Sequence, residues 1–253
     1  MASNKIAFIT GGGRGLGKDM ALSLAKKGVD IILTYNSNKT EADAVAAEIK
    51  QAGQRAAVLQ LNTATVSSFD NFVTSFTAIL KDTFQATQFN YLINNAGIGL
   101  HANFADTTEA QFDEIMNIHL KGPFFLTQKL LPLLADGGAI INVSSGLTRF
   151  TLPGSSAYAA MKGAIEVLTR YQAKELGSRG IRVNTIAPGA IQTDFGGGAV
   201  RDNADLNKMV ASNTALGRAG VAEDIGAVVA FLCSDEARWV NAQRVEASGG
   251  MFL

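Results

Sequence analysis

The sequence predicts an α/β fold, with one doubly wound parallel sheet that carries helices on both faces. Short apolar runs such as residues 31–33 are continuous rather than alternating, which is typical of strands buried on both faces. Helix-length segments separate these runs, and that alternation is the pattern of a parallel α/β sheet. A glycine cluster at residues 11–17 follows the first run directly. No repeat or linker interrupts the pattern, so residues 1–253 are expected to form a single domain.

Each element has a local signal in the sequence. Apolar runs predict strands at 6–9, 30–35, 56–61, 91–93, 139–143 and 181–186. Helices are predicted between them at 18–27, 39–52, 66–81, 109–134 and 157–176. The first helix is expected to end at Gly28 and the second at Gly53, since glycine is common just beyond a helix. The three glycines at 196–198 predict a loop within the domain.

Composition narrows the class of protein. Hydrophobic residues make up 47% of the 253 residues, and Lys+Arg and Asp+Glu both number 22, so the formal net charge is zero. Nucleic-acid-binding proteins usually carry a basic excess, and two histidines are too few for a histidine-based metal site, so neither is expected. Cys233 is the only cysteine and lies in an apolar run, which predicts an inert, buried thiol in a reducing compartment. A strand predicted from residue 5 leaves no room for a signal peptide, and no apolar run reaches the length of a membrane span. A cytoplasmic protein is therefore expected.

The glycine cluster is typical of a phosphate-binding loop. Residues 10–17 are Thr-Gly-Gly-Gly-Arg-Gly-Leu-Gly, between the first strand and the first helix. Glycines let the backbone approach a pyrophosphate closely, and a helix N-terminus offers unpaired N–H groups to its charge. The strict G-x-G-x-x-G spacing is absent, so an ordinary glycine-rich turn is the alternative. The position at the start of an alternating β/α chain favours the nucleotide site.

The end of the second strand indicates which dinucleotide is bound. An acidic residue there usually accepts a hydrogen bond from the ribose 2′-hydroxyl of NAD and repels a 2′-phosphate. This sequence has Tyr35, Asn36 and Ser37 at that place, and its first acid is Glu41. Because Arg14 can also pair with a phosphate, the sequence predicts NADP(H).

Candidate site residues follow the predicted strands. Ligands of open α/β sheets bind beyond the carboxyl ends of the strands. The residues at those positions are Gly11, Tyr35, Asn62, Asn94, Ser145 and Pro188. Tyr158 and Lys162 stand four residues apart, so they share one face of the predicted helix. A nearby ammonium lowers the pKa of a phenol from its usual value of about 10, which makes Tyr158 a candidate general acid/base.

With these residues the chain resembles the short-chain dehydrogenase/reductase family, over essentially its whole length. The shared motifs are residues 10–17, Asn94-Asn95-Ala96-Gly97, Asn117, Ser145, Tyr158-x-x-x-Lys162, Pro188-Gly189 with Thr193, and Ser248-Gly249-Gly250. The resemblance implies a Rossmann-type domain that interconverts a carbonyl and an alcohol with a nicotinamide cofactor. It is greatest to 3-oxoacyl-carrier-protein reductases and ketone-reducing relatives. Asn62-Thr63 departs from the aspartate usual in the family.

The resemblance also implies a role for each site residue. Tyr158 is the general acid/base, Ser145 hydrogen-bonds the substrate oxygen, and Lys162 hydrogen-bonds the nicotinamide ribose. Asn117 holds a water molecule through its backbone and extends the proton path from Lys162. The implied cofactor contacts are Gly11, Arg14, Gly15, Leu16, Gly17, Tyr35, Asn36, Ser37, Asn62, Thr63, Asn94, Ala96, Gly97, Tyr158, Lys162, Pro188, Gly189, Ile191 and Thr193. The family commonly forms homotetramers, so a homotetramer is expected, with a homodimer as the alternative.

The substrate pocket is expected to be apolar. Its predicted lining is Leu147, Phe150, Leu152 and Phe195. Residues 195–213 begin with glycines and are expected to form a lid that closes over it. Only Arg149 or Arg201 could clamp an anionic substrate, and His101 is a minor candidate for the cleft. A hydrophobic ketone or aldehyde, or a 3-oxoacyl thioester, is therefore favoured.

Three other functions are less favoured. An NAD-dependent polyol, sugar or steroid alcohol dehydrogenase would be expected to have an acid in place of Tyr35. Enoyl reductases of the superfamily space their tyrosine and lysine more widely than the four positions found here. A catalytically silent nucleotide sensor would be expected to have lost Ser145, Tyr158 or Lys162, and the sequence retains all three.

Overall fold

The computed structural model describes residues 4–253, whose seven strands form one sheet. The strands are β1 Ile6–Ile9, β2 Asp30–Tyr35, β3 Ala56–Gln60, β4 Phe89–Asn94, β5 Leu134–Val143, β6 Arg182–Pro188 and β7 Arg244–Ala247. Their order is β3-β2-β1-β4-β5-β6-β7, and every neighbouring pair is parallel. The chain runs outward from β1 to β3, then crosses back to place β4 beside β1. This reversal opens a crevice between the carboxyl ends of β1 and β4, where ligands of such sheets bind.

Nine α-helices of four residues or more lie among the described residues. They are α1 Gly15–Ala25, α2 Lys39–Gln51, α3 Phe69–Phe84, α4 Glu109–Met116, α5 Gly122–Leu130, α6 Ser156–Leu176, α7 Ala199–Asp202, α8 Ala204–Ser212 and α9 Glu223–Cys233. A π-helical turn, Asn117–Lys121, joins α4 to α5. Within residues 4–253, no helix has both the length and the apolar character needed to cross a membrane.

The core consists of two apolar layers, one on each face of the sheet. Helices α1, α2 and α9 cover one face, where Met20 and Val229 pack against Ile9 and Ile93. Helices α3, α5 and α6 cover the other, where the rings of α3 pack around Phe8. Alternate residues of each strand supply the two layers, so continuous apolar strands are required. The prediction of a doubly wound parallel sheet is confirmed.

Several element boundaries differ from those predicted. Helix α1 begins at Gly15 rather than residue 18, because the last glycines of the cluster already form its first turn. The helix predicted over 109–134 is interrupted at the π-helical turn. Leu134, the last residue of that predicted helix, is already the first residue of β5. The sequence signal does not assign α7, α8, α9 or β7. The last is a strand of four half-buried residues at the edge of the sheet, which leaves little hydrophobic pattern to detect.

Candidate active site

The glycine loop after β1 is held by hydrogen bonds from the neighbouring strands. The Gly11 N–H donates to Oγ1 of Thr34 at 3.1 Å, at the end of β2. From the loop after β4, the side-chain amide of Asn95 donates to the carbonyl oxygens of Thr10 at 2.9 Å and Gly11 at 3.1 Å. The Thr10 hydroxyl accepts the N–H groups of Asn95 and Ala96, both at 3.0 Å. Three strand ends therefore fix the loop in one conformation.

The loop has the features that a dinucleotide pyrophosphate needs. A Cβ atom at Gly17 would overlap the carbonyl oxygen of Gly11, so only glycine allows this close turn. Arg14 precedes α1 in an extended conformation, and its side chain caps none of the N–H groups of that helix. Those groups are thus available to an anion. Thr193 faces the loop, 3.4 Å from where a Cβ of Gly15 would stand. The residues present fit NADP(H), whose diphosphate would be held by the start of α1 and Thr193.

The end of β2 carries no acidic side chain toward this loop. Tyr35 is half-buried, whereas Asn36, Ser37 and Arg14 are exposed and can approach a phosphate on the adenosine ribose. Glu41 lies in the first turn of α2, where its N–H is capped by Asn38. This arrangement agrees with the predicted preference for a 2′-phosphate.

Other predicted cofactor contacts have structural duties as well. The Asn62 side chain accepts the N–H of Ala64 at 2.9 Å and so stabilises its own turn. Asn94 is buried, and its amide donates to Asn142 of β5 at 2.8 Å and to Thr127 of α5 at 3.1 Å. Thr63 is buried as well, with its carbonyl oxygen against Gly122. The Asn94 side chain thus braces β4 against β5 and α5, and its contact with the cofactor stays a prediction.

The loop after β6 completes the cofactor side. Pro188 ends the strand, and Gly189 lies against Ser248 so closely that a Cβ atom would be only 2.9 Å away. Ile191 forms a bridge to Gly220, and this bridge brings Thr193 over the glycine loop.

Ser145, Tyr158 and Lys162 meet beside this crevice. Ser145 follows β5, and its hydroxyl oxygen accepts the Leu147 N–H at 3.2 Å, which fixes the turn. Tyr158 and Lys162 lie one turn apart on α6, with Nζ of Lys162 5.6 Å from the centre of the phenol ring. The ammonium donates to the carbonyl oxygen of Val143 at 2.6 Å. The structure therefore brings together the three residues that the sequence singles out for the chemistry.

The ionisation of this trio differs from the sequence-based expectation. Burial raises the pKa of Tyr158 well above its usual 10, and the neighbouring Ser145 hydroxyl opposes only part of that rise. Burial also lowers the pKa of Lys162 to about 7. Desolvation disfavours both charged forms, so it outweighs the expected effect of the ammonium on the phenol. Tyr158 is accordingly a protonated phenol at neutral pH.

A polar network not predicted from the sequence supports the serine turn. Oε1 of Glu166 accepts the hydroxyls of Ser144 at 2.7 Å and Thr148 at 2.8 Å. The same atom accepts Nε of Arg244 at 2.8 Å, from β7. Glu166 stands four residues after Lys162 on α6, and that spacing is the one sequence signal that could have indicated it. The network joins the serine turn, α6 and β7.

The π-helical turn places the ring of His119 against that of Tyr158. The His119 ring centre lies 5.1 Å from that of Tyr158, with the rings at 84°. Among the described residues the Asn117 side chain makes no hydrogen bond, and its carbonyl oxygen accepts the N–H of Gly122. The catalytic role of Asn117 stays a prediction. His119 was not singled out, because the sequence gives no sign of the π-helical turn that points it inward.

The predicted pocket residues divide into two groups. The ring centre of Phe195 lies 5.9 Å from that of Tyr158. Leu152 is an exposed residue six positions before Tyr158 in the sequence. Phe150 instead packs on Phe252 of the C-terminal segment, at 4.9 Å between ring centres. Leu147 is half-buried in the serine turn. The lining role of Phe150 stays a prediction.

The two candidate anion clamps are both paired with other groups. Arg149 binds Glu246 and donates to the carbonyl oxygens of Met251 and Phe252. Arg201 pairs with Asp202 in the lid segment and with Asp194 just before it. Elsewhere, Cys233 is buried and its pKa is raised to about 12 by desolvation, as expected for an inert thiol. His101 is exposed and lies against Gly154.

Comparison with known proteins agrees with this geometry. Residues 11–252 match the family model described as enoyl-(acyl carrier protein) reductase. The 3-oxoacyl-[acyl-carrier-protein] reductase of Staphylococcus aureus is 36% identical over 256 residues, which cover 100% of both chains. An uncharacterized oxidoreductase of Methylorubrum extorquens is 34% identical over 247 residues, 98% of this chain and 97% of that protein.

Solved structures are equally similar. The promiscuous reductase LugOII, which catalyses keto-reduction at C1 during lugdunomycin biosynthesis, has a TM-score of 0.94 at 36% identity over 99% of each chain. The angucycline C-6 ketoreductase LanV with bound NADP has a TM-score of 0.93 at 34% identity, over 98% of this chain and 95% of that one. Another LanV structure holds NADP together with rabelomycin, at a TM-score of 0.90 and 34% identity.

The fold and the site together define an oxidoreductase that works with a nicotinamide dinucleotide. By its matches the chain belongs to the short-chain dehydrogenase/reductase family. The predicted family and fold are confirmed, and the NADP held by LanV supports the predicted cofactor. The family model is named for enoyl reduction, whereas the S. aureus relative, LugOII and LanV are named for reduction of oxo groups. The four-residue spacing of Tyr158 and Lys162 favours reduction of an oxo group over reduction of an enoyl group.

Proposed function

We propose that this protein is an NADPH-dependent reductase of an uncharged, hydrophobic ketone. One observation carries the proposal: Ser145, Tyr158 and Lys162 converge beside the glycine loop, at the crevice where the strand order reverses. A sensor or a structural protein would have no use for a lysine buried one helical turn from a tyrosine, since burying a group that can carry a charge is costly. Catalysis gives that arrangement a purpose.

The residues have complementary roles in reduction. Tyr158 holds its proton at neutral pH, so it can donate that proton to the carbonyl oxygen as the alcohol forms. The Ser145 hydroxyl donates a hydrogen bond to the same oxygen and stabilises its developing negative charge. Lys162, held by the Val143 carbonyl, would bind the nicotinamide ribose. When bound, NADPH supplies the hydride that is added to the carbonyl carbon.

The state of the arginines supports an uncharged substrate. Arg149 and Arg201 are each held by acidic groups, so neither is available to bind a carboxylate or a phosphate of the substrate. Phe195 is 48% exposed and Leu152 is 37% exposed, and such apolar surface suits a hydrophobic ligand. LugOII and LanV act on keto groups of lugdunomycin and angucycline compounds, which is consistent with a ketone of that character. A 3-oxoacyl thioester is the second candidate, because of the S. aureus relative.

The test is NADPH oxidation with a panel of carbonyl compounds. The panel contains aryl ketones, diketones, a 3-oxoacyl thioester and a crotonyl thioester, each assayed with NADPH and with NADH. Tyr158→Phe removes the proton donor and should lower kcat by about 100-fold or more. Tyr171→Phe is the matched control, since Tyr171 lies on the same helix and is 64% exposed.

The outcomes separate the candidate functions. Turnover of ketones that depends on Tyr158 supports the proposal. Reduction of the crotonyl thioester alone would instead indicate an enoyl reductase, as the name of the family model suggests. Nucleotide binding without turnover of any carbonyl or alcohol would indicate a sensor, and a preference for NADH with alcohols would indicate a dehydrogenase.

The homotetramer stays a prediction that rests on the family resemblance, and the cytoplasmic location stays a prediction from the sequence. Light scattering of the purified protein distinguishes a tetramer from the alternative dimer. A monomer that is active at assay concentrations would contradict both assemblies.

A further inference from the structure

His119 occupies the active site without a part in the proposed chemistry. It lies in the π-helical turn that joins α4 to α5. The residue is 2% exposed. Its Nε2 lies 2.8 Å from the carbonyl oxygen of Ile98, in the loop after β4. A buried polar ring at this place needs an explanation, because desolvation of an imidazole is unfavourable.

The ring is held as a neutral imidazole. Burial, together with the nearby charge of Lys162, lowers the pKa of His119 to about 2. Nε2 lies nearer the Ile98 carbonyl, at 2.8 Å, than the Ile98 N–H, at 3.2 Å. The favoured tautomer therefore carries the proton on Nε2 and donates it to that carbonyl. Nδ1 is buried and has no hydrogen-bond partner among the described residues.

Two rings enclose Tyr158. His119 meets the phenol ring edge-on at 5.1 Å, and Phe195 lies tilted on it at 5.9 Å. The loop after β4 completes the enclosure, because a Cβ at Gly97 would collide with the His119 ring and one at Gly99 would stand 3.3 Å from Phe195. The two rings differ in freedom, since His119 is tethered and buried whereas Phe195 is half exposed.

We propose that His119 is a positioning residue, whose ring holds the phenol of Tyr158 in the orientation needed for proton transfer. This inference rests on the proposed function. The tether to Ile98 fixes the imidazole, and the fixed imidazole contacts the Tyr158 ring with the two ring planes nearly perpendicular. Phe195 also contacts the phenol ring, but its side chain is half exposed. His119 thus acts on the proton-transfer step and not on binding of the cofactor.

Two substitutions separate the ring from the tether. His119→Phe keeps an aromatic ring beside Tyr158 and loses the hydrogen bond to Ile98. His119→Gln keeps an amide N–H that reaches the Ile98 carbonyl and loses the ring. His119→Ala loses both. Because a misplaced catalytic group can cost about 100-fold in rate, kcat should fall by roughly 10-fold to 100-fold in the Gln and Ala variants. The Phe variant should retain most of the rate, and the Kd for NADPH should change less than about twofold in all three.

A stability control and a spectroscopic measurement accompany the kinetics. Leu80→Ala, a buried position on α3, should lower stability while leaving kcat unchanged. The NMR signal of the Tyr158 ring, assigned with Tyr158→Phe, should shift in the Gln and Ala variants and stay near its original position in the Phe variant. This signal reports on the ring contact whether or not any substrate is turned over.

The inference is overturned if kcat is unchanged in His119→Ala, or if the Tyr158 signal does not move in that variant. Rescue by glutamine but not by phenylalanine would also overturn it, since the tether rather than the ring would then matter. Equal losses of kcat and NADPH affinity would indicate a structural role. If the wild-type protein reduces no ketone, the proposed function fails, and the NMR result still decides whether the ring of His119 holds Tyr158.

Discussion

Tyr158 stands between two regions that are built in opposite ways. On the side of the strand ends, the glycine loop, the loop after β4 and His119 are joined by hydrogen bonds of 2.8–3.2 Å between different strands. On the side of the lid, residues 195–213, the hydrogen bonds run mostly within the segment, such as Arg201 to Asp202. The first region can change only if several strands move, whereas the second can change by itself. We therefore expect the cofactor to bind on the fixed side and the lid to select the substrate.

Glycines show the difference most plainly. A Cβ at Gly17 would overlap backbone atoms, so this glycine serves close packing. Gly196 and Gly197 have φ angles of 62° and 74°, yet nothing lies within 4 Å of where their Cβ atoms would stand. These two glycines serve a left-handed turn at the start of the lid, where the surroundings impose no limit on size. One residue type thus performs two unrelated tasks on the two sides of the site.

The largest effect should follow from breaking the fixed side. In Gly17→Ala the new methyl group collides with the Gly11 carbonyl and forces the loop to shift. Such overpacking costs about 1–3 kcal/mol, which corresponds to a roughly 5-fold to 150-fold rise in the Kd for NADPH if the whole cost falls on the bound loop. Fluorescence titration measures it. Gly177→Ala is the control, because its φ is −60° and nothing lies near its Cβ. Equal affinities in the two variants would show that the loop does not bind the cofactor.

The buried histidine on the fixed side should make stability depend on pH. Unfolded histidine titrates at 6.5, whereas the pKa of His119 in the folded protein is about 2. Between these values the unfolded chain binds a proton that the folded chain does not, so stability falls as the pH falls. From pH 7 to pH 5 this one group should lower the free energy of unfolding by about 2 kcal/mol.

Urea unfolding of the wild type and of His119→Phe, each at pH 7 and at pH 5, measures this dependence. His119→Phe should be less sensitive to pH than the wild type by that amount. The same change at the exposed His101 serves as the control. If the wild type and His119→Phe lose stability in parallel, His119 is not held neutral.

An acid at the end of β2 should reverse the choice of cofactor. Tyr35→Asp would repel the 2′-phosphate of NADPH and accept a hydrogen bond from the 2′-hydroxyl of NADH. We expect the ratio of the two kcat/KM values to shift toward NADH by about tenfold, or about 1.4 kcal/mol. Tyr35→Asn, which lacks the charge, should shift it little. A ratio that is the same in both variants would place the adenosine ribose elsewhere.

The smallest effect is expected in the lid. Gly197→Ala strains a residue with positive φ and should cost about 1 kcal/mol of stability. Its KM for the ketone should rise a few-fold, with the Kd for NADPH unchanged. Gly53→Ala introduces the same strain at an open position after α2 and should leave KM unchanged. A weaker affinity for NADPH in Gly197→Ala would show that the two sides are not independent.

The parts of the site that the sequence predicts are those set by short-range pattern. Continuous apolar strands, the glycine loop and the spacing of Tyr158 and Lys162 depend on neighbours in sequence, and all appear as expected. The parts it does not predict depend on contacts between distant residues. Arg244 reaches Glu166 across 78 positions, and Phe150 packs on Phe252 at the C-terminus. The π-helical turn that directs His119 inward is stabilised by such packing, so no local pattern indicates it.

The central claim is that hydride from NADPH reaches a carbonyl carbon while Tyr158 supplies the proton. It is tested most directly with NADPH deuterated at the transferred position, the best ketone of the panel, and NMR of the product. We predict one deuterium on the former carbonyl carbon for each NADPH oxidised, and loss of this product in Tyr158→Phe but not in Tyr171→Phe. Deuterium on the carbon β to an intact carbonyl, as hydride addition to an enoyl group would give, or oxidation that is indifferent to Tyr158, would contradict it.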